Sequence, residues 1–131
     1  MQTKTNPLPQ PPTLKWTLHV KEKMRFYGLS ESRIKRVIKY PTRIEKGIAP
    51  NTIAAMQSIT KYKHTQHALR KSASNLHKSA TMQEIWVMYQ DKKGTRTVIT
   101  AWRYPGKSPV REAIPLPTEI EQELECLGYT R

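Results

Sequence analysis

The chain has 131 residues, of which 37% are apolar, so its length and composition fit one small domain with a modest hydrophobic core. The longest uninterrupted apolar run spans residues 85–89, far short of the roughly 20 residues of a membrane helix. The first residues lack the apolar stretch of a secretory signal. The single cysteine, Cys126, excludes an intrachain disulfide. We therefore expect a soluble, cytoplasmic protein.

The charge of the chain is distributed very unevenly. Residues 1–111 contain 22 of the 23 basic residues and five acids, a net charge of +17, whereas residues 112–131 carry −4. A positive charge as large as that of residues 1–111 attracts polyanions, with RNA or DNA as the first candidate and anionic lipid as the second. The alternative is that the high net charge only keeps the protein soluble.

Two helices are predicted after a Pro-rich arm at residues 1–13. Apolar residues recur at helical spacing over residues 14–27, and Gly28 suits the left-handed position that ends a helix. Ser30 is a good N-cap for a second helix, and Pro41 disfavours helix at the residue before it. The arm itself is expected to be extended and flexible.

The middle of the chain is less regular. Residues 42–48 read as a short strand, and residues 52–59 suit either a second strand or a short helix. Residues 60–81 contain no acid and few apolar residues. We interpret them as an insertion, either a mobile basic loop or a short surface helix.

A hairpin is predicted towards the C-terminal end. Residues 83–90 form the clearest strand, with an apolar run that is typical of burial on both faces. Residues 91–94 form a turn, and residues 95–104 form the antiparallel partner strand. Strict alternation along that strand would place Val98 and Trp102 on the same face.

A last helix is predicted from Thr118, because Thr118 and Glu121 match the capping box. The domain prediction is therefore a flexible arm at 1–13, an α+β domain at 14–107 with the basic insertion at 60–81, and a Pro-containing linker with an acidic helix at 108–131. In this fold, two N-terminal helices pack on a small antiparallel sheet of three to four strands, and a C-terminal helix follows.

Three stretches carry a resemblance to a known family: HVKEKMRFYGLSESRIKRVIKYP at residues 19–41, EIWVMYQDKKG at 84–94 and TRTVITAWR at 95–103. They resemble a family of short prokaryotic domains of unknown function, the one numbered 4258. That family is similar to the RelE and barnase-like group, in which a helical pair packs on an antiparallel sheet. The resemblance implies this fold and, with it, a toxin-like endoribonuclease that acts on RNA, some members acting on ribosome-bound messenger RNA.

Cleavage of RNA without a metal needs a base, an acid and a cation that stabilises the phosphorane. His19 is the candidate base or acid because histidine titrates near neutrality. Lys23 follows one helical turn later, and Arg103 on the last strand offers a forked phosphate contact. These three residues form the predicted catalytic site, although a structural His19 and ordinary surface cations are the alternative interpretation.

Further residues are expected to bind RNA through charge or hydrogen bonds. These are Lys61, Lys63, Arg70, Lys71, Lys78, Thr100 and Tyr104. Trp102 either stacks on a base or packs in the core. His64, His67 and His77 have no acid or thiol close by, so we expect no metal site and no cofactor.

The predicted function is that of a small basic RNA-binding protein, of the endoribonuclease kind, whose partners are RNA, free or ribosome-bound, and an antitoxin-like acidic protein. The first alternative is a non-catalytic RNA- or ribosome-binding module of the same fold. A weaker one is an adaptor that binds a protein through its Pro-rich arm. The acidic C-terminal helix either folds over the basic groove as a polyanion mimic or packs on the body through its apolar stripe.

Overall fold

The computed structural model describes residues 11–63 and 79–130. They form five strands and three helices in the order β1 (Thr13–Trp16), α1 (Leu18–Tyr27), α2 (Glu31–Lys39), β2 (Arg43–Lys46), β3 (Thr52–Lys63), β4 (Ser79–Lys92), β5 (Thr95–Pro105) and α3 (Thr118–Cys126). None of the three helices in this part of the chain has the length and apolarity that a membrane span requires.

The five strands form one mixed sheet in the order β1-β5-β4-β3-β2. The β1 strand runs parallel to β5, whereas the other neighbours are antiparallel. The predicted antiparallel sheet of three to four strands is therefore wrong. The error arises at residues 13–16, most of which fall within the predicted first helix and which instead form β1.

The start of α1 explains this difference. Thr17 has extended backbone angles, and its Oγ1 accepts a hydrogen bond from the Val20 amide at 3.0 Å, so it is the N-cap of a helix that begins at Leu18. Trp16 nevertheless packs against the same core as Val20 and Met24. The helical spacing of apolar residues therefore extends to Trp16, two residues before the helix begins.

Each face of the sheet carries its own hydrophobic core. On one face, α1 and α2 bury Val20, Ile34 and Val37 against β4 and β5. On the other face, α3 buries Ile120 and Leu124 against Trp86 and Trp102, two parallel rings whose centroids are 5.7 Å apart. The C-terminal helix is thus a layer of the same fold rather than a separate appendage.

The hairpin of β4 and β5 contains an irregularity that the sequence pattern does not predict. Residues 84–89 are buried, as the apolar run predicts, and Lys93 and Gly94 form the turn with φ values of 47° and 79°. The register shifts between Met88 and Tyr89. As a consequence, Val98 belongs to the core beneath α1, whereas Trp102 belongs to the core beneath α3, so the predicted single alternation is wrong.

Local signals for helix ends and strands have mixed outcomes. Ser30 Oγ accepts from the Arg33 amide, which confirms the predicted cap of α2, and Gly28 takes the predicted left-handed conformation with φ 65°. The α3 helix starts at Thr118 as predicted, but its N-cap is Pro117 and no capping box forms. Residues 52–59 are strand, and both ends of the segment 60–81 belong to β3 and β4; residues 64–78 lie outside the described residues.

Candidate functional site

The edge of β5 positions the first turn of α1. The β1 strand pairs only with residues 95–98 of β5, and the chain then crosses to α1 while remaining close to that edge. Thr17 Oγ1 donates a hydrogen bond to the Ile99 carbonyl at 2.9 Å. This contact brings His19, two residues later, to the rim between the sheet and α3.

Both ring nitrogens of His19 have partners. Its Nε2 lies 2.9 Å from Thr100 Oγ1, and its Nδ1 lies 3.2 Å from Glu123 Oε2. Because an ionised carboxylate only accepts hydrogen bonds, Nδ1–H donates to Glu123 and the neutral ring accepts from the Thr100 hydroxyl through Nε2.

Burial decides the charge of this imidazole. His19 is 8% exposed. Burial lowers its pKa below the usual 6.5, and this effect exceeds the opposing attraction of the Glu123 carboxylate. The ring is therefore neutral at pH 7, and its basic nitrogen already accepts a hydrogen bond inside the protein.

The Glu123 carboxylate links the two predicted catalytic residues of α1, His19 and Lys23, to α3. Its Oε1 accepts a hydrogen bond from Lys23 Nζ at 2.9 Å, while Oε2 contacts His19. The anchoring of α3 through buried Leu124 sets the position of Glu123. Glu123 is not among the predicted site residues, because the acids of this helix occur at every second residue and the spacing distinguishes none of them.

Arg103 does not belong to this cluster. Its Nε donates to the Tyr27 carbonyl at 2.7 Å, and its Nη2 donates to the Gly28 carbonyl at 3.3 Å. Burial and the nearby Arg33 lower its pKa. Tyr27 lies eight residues after His19 in α1, or about 12 Å along the helix axis. The predicted grouping of Arg103 with His19 and Lys23 around one phosphate is thus not formed; Arg103 instead caps the C-terminal end of α1.

The remaining predicted contact residues have different positions. Thr100 is fully buried beneath His19, and Tyr104 is half-buried against the core beneath α3. Trp102 is also fully buried, as its core-packing alternative predicts. The backbones of Lys61 and Lys63 belong to β3, but their side chains are outside what the structure describes. The predicted residues Arg70, Lys71 and Lys78, and the histidines His64, His67 and His77, also lie outside the described residues.

A cavity of about 590 Å³ opens beside His19. Its charged walls are the carboxylates of Glu22 and Glu123, and no Lys or Arg of the described residues lines it. Glu22 forms no ion pair with another described residue and opposes the entry of a phosphate, whereas the charge of Glu123 is partly offset by Lys23. Within residues 11–63 and 79–130, no group of three metal-ligating side chains is present either. Because no cation lines this cavity among the described residues and its charged walls are acidic, the surroundings of His19 do not suit RNA cleavage by the predicted metal-free mechanism.

The strongest cationic feature of the described chain is α2. We call its four basic residues the basic face; they are Arg33, Lys35, Arg36 and Lys39. None of them forms an ion pair with another described residue. By contrast, Arg96, across a cavity of about 300 Å³ from this face, is bound to both oxygens of Asp91 at 2.7 and 2.9 Å.

An exposed aromatic residue directly follows the basic face. Tyr40 is 62% exposed, and Lys39 Nζ lies 5.5 Å from the centroid of its ring. Aromatic rings beside a cationic track are the usual platform on which single-stranded bases stack. Tyr40 is not among the predicted site residues, although the segment KRVIKY at residues 35–40 contains three basic residues and ends in an aromatic one.

Comparison with known proteins does not assign this chain to a family. The chain matches no protein-family model, no curated protein and no solved structure. These results neither support nor contradict the resemblance to the RelE and barnase-like group.

Proposed function

We propose that this protein is a cytoplasmic RNA-binding module that holds single-stranded RNA, free or on the ribosome, along the basic face without cleaving it. The observation that carries the proposal is that the four cations of α2 form no ion pair within the described chain. Unpaired cations are free to replace the counterions of a phosphate backbone.

Tyr40 favours single-stranded over double-stranded RNA. A base in a duplex is already stacked on its neighbours, whereas an unpaired base gains a stacking surface from an exposed ring. The distance between Lys39 and the Tyr40 ring places a phosphate-binding charge and a stacking surface side by side. An antitoxin-like acidic protein would compete with RNA for the same cations.

The experiment is a measurement of affinity for a single-stranded RNA between about 50 and 200 mM salt. If the protein neutralises about five phosphates, log K falls against log salt with a slope near −3.5. Replacing Lys35 and Lys39 by Gln together is expected to reduce the slope by about 1.4.

The matched control replaces Lys21 and Arg25, an exposed pair with the same helical spacing on α1, by Gln. It removes the same charge from a different helix, and neither residue lines the cavity that the basic face shares with Arg96, so we expect a clearly smaller effect. An equal loss in both double variants would show that RNA is held by net charge alone. Binding that does not depend on salt would contradict the electrostatic account entirely.

A metal-independent endoribonuclease is the second candidate function. One observation favours it: the Glu123 carboxylate lies on Nδ1 of His19, the arrangement that orients an imidazole for proton transfer. For catalysis, however, Thr100 would have to release Nε2. The test is cleavage of structured and ribosome-bound RNA by the wild type and by His19→Ala. Cleavage that is lost in His19→Ala while RNA binding remains would overturn the non-catalytic proposal.

A further inference from the structure

Three exposed apolar side chains lie along one surface, at and beside the cavity that opens next to His19. Leu18 and Leu127 line this cavity and are 80% and 56% exposed. Phe26, which is 73% exposed, follows Leu18 by two turns on the same side of α1. The described residues include seven exposed large apolar side chains, so three of them are found here. A cluster of this kind marks an interaction surface, whereas scattered single residues do not.

The spacing of this apolar surface suits a helix. The walls of the cavity come from the start of α1 and the end of α3. Leu18 and Phe26 are eight residues apart, which is about 12 Å along the helix axis. Side chains seven or eight residues apart on a second helix have nearly the same separation, and such pairs are the usual anchors of a helix that docks in a groove.

The charge of the cavity selects a cationic partner. Its charged walls are Glu22 and Glu123. Both oxygens of Glu123 already have partners, His19 and Lys23. Glu22 is exposed and forms no ion pair with another described residue, so its carboxylate is the acceptor that remains for a ligand. The other cations of α1 do not line the cavity.

An arginine side chain combines the two properties that the cavity offers to a ligand. Its aliphatic stem packs on apolar surface such as that of Leu18 and Leu127, and its forked guanidinium pairs with a free carboxylate such as that of Glu22. We propose that the cavity beside His19 is the docking site of a basic amphipathic helix of a partner protein. One arginine of that helix enters the cavity, and one apolar residue packs on Phe26.

This partner and RNA occupy different surfaces. None of the four cations of the basic face lines the cavity beside His19. A basic helix is repelled by the basic face and attracted by the acidic cavity, so complementary charge also fixes where it docks. The proposal does not depend on the proposed RNA binding, and the two can be tested separately.

The probe is a fluorescein-labelled peptide of about 18 residues, long enough to be helical, made of Ala, Leu and Arg with the Leu and Arg residues in one stripe. Binding is followed by fluorescence anisotropy at about 150 mM salt, which screens the net positive charge of the protein beyond about 8 Å. A second peptide has the same composition, but its Leu and Arg residues are dispersed around the helix.

Two pairs of variants test the charge and the apolar rim. Glu22→Lys is matched by Glu112→Lys, an exposed acid that lines a different cavity, next to β2. Leu18→Ser is matched by Val110→Ser, which is 62% exposed and is also absent from the cavity beside His19. All four positions are exposed, so we expect each variant to fold.

The wild type is expected to bind the striped peptide more tightly than the dispersed one. Glu22→Lys and Leu18→Ser are each expected to weaken binding by about fivefold or more, and the two controls by less than about twofold. Equal binding of both peptides, no binding of the striped peptide, or an unchanged affinity in Glu22→Lys overturns the proposal. Self-association of the wild type that Glu22→Lys abolishes in sedimentation also overturns it, because the occupant is then the basic face of a second copy.

Discussion

The contact between His19 and Thr100 is expected to stabilise the fold rather than to serve catalysis. His19→Ala leaves the Thr100 hydroxyl, which is fully buried, without its imidazole partner at 2.9 Å. An unsatisfied buried hydroxyl costs about 1–3 kcal/mol. We therefore expect His19→Ala to lower the free energy of unfolding by at least that amount and to leave RNA affinity unchanged.

A double-mutant cycle isolates the contact. Thr100→Val keeps the shape of the side chain but removes the hydroxyl, so it leaves His19 Nε2 without a donor and is expected to cost a similar free energy. In the double variant both the imidazole and the hydroxyl are absent, so no buried polar group is left without a hydrogen-bond partner. Urea unfolding at pH 7.5 should therefore give a combined loss smaller than the sum of the single losses, by about 0.5–3 kcal/mol. Additive losses would refute the reasoning.

The pH dependence tests the charge state of the same imidazole. Burial lowers the pKa of His19 in the folded protein, so between that lowered value and about 6.5 the unfolded chain binds more protons and stability falls as pH decreases. The stability difference between the wild type and His19→Ala is thus expected to narrow as pH falls from about 7.5 to 5.5. A difference that widens would mean that His19 and Glu123 form a charged pair with a raised pKa.

Three further predictions concern the surfaces around this site. Arg103→Met removes the hydrogen bonds to the carbonyls at the end of α1, so urea unfolding should show a loss of about 1 kcal/mol with unchanged RNA affinity. Tyr40→Ala should weaken single-stranded RNA binding by about 1–3 kcal/mol, whereas Tyr40→Phe should not. Glu123→Gln should leave RNA affinity unchanged, because α3 and α2 cover opposite faces of the sheet; a several-fold gain would show that the acidic helix masks the RNA site.

The elements that sequence analysis predicts well are those with short-range causes. The Ser30 cap, the left-handed Gly28 and the turn at Gly94 each depend on one residue and its immediate neighbours. The β1 strand has no such cause. Its four residues gain their hydrogen bonds by parallel pairing with residues 95–98, and a helical pattern of apolar residues runs through Trp16 regardless.

The prediction of the catalytic site around His19 is incomplete for the same physical reason. The position of His19 at the edge of the apolar stripe of α1 is a local property, and helical spacing predicts it. What surrounds His19 is not local, because Thr100 is 81 residues away in the chain and the Lys23–Glu123 contact spans 100 residues. No spacing rule within a helix or a strand contains those distances, so neither Thr100 nor Glu123 could be predicted as a partner of the imidazole.

The net charge of the sequence likewise does not show which cations the fold pairs with acids. Those ion pairs determine which cations are available to RNA. A composition counts every Lys and Arg equally, whereas the fold pairs Lys23 with Glu123, Arg43 with Glu45 and Arg96 with Asp91. Arg103 is likewise bound to backbone carbonyls. Each such contact removes a donor that a phosphate would otherwise use. The cations of α2 keep their donors, and for that reason the basic face, rather than the groove beside His19, is the surface on which RNA binding should be tested first.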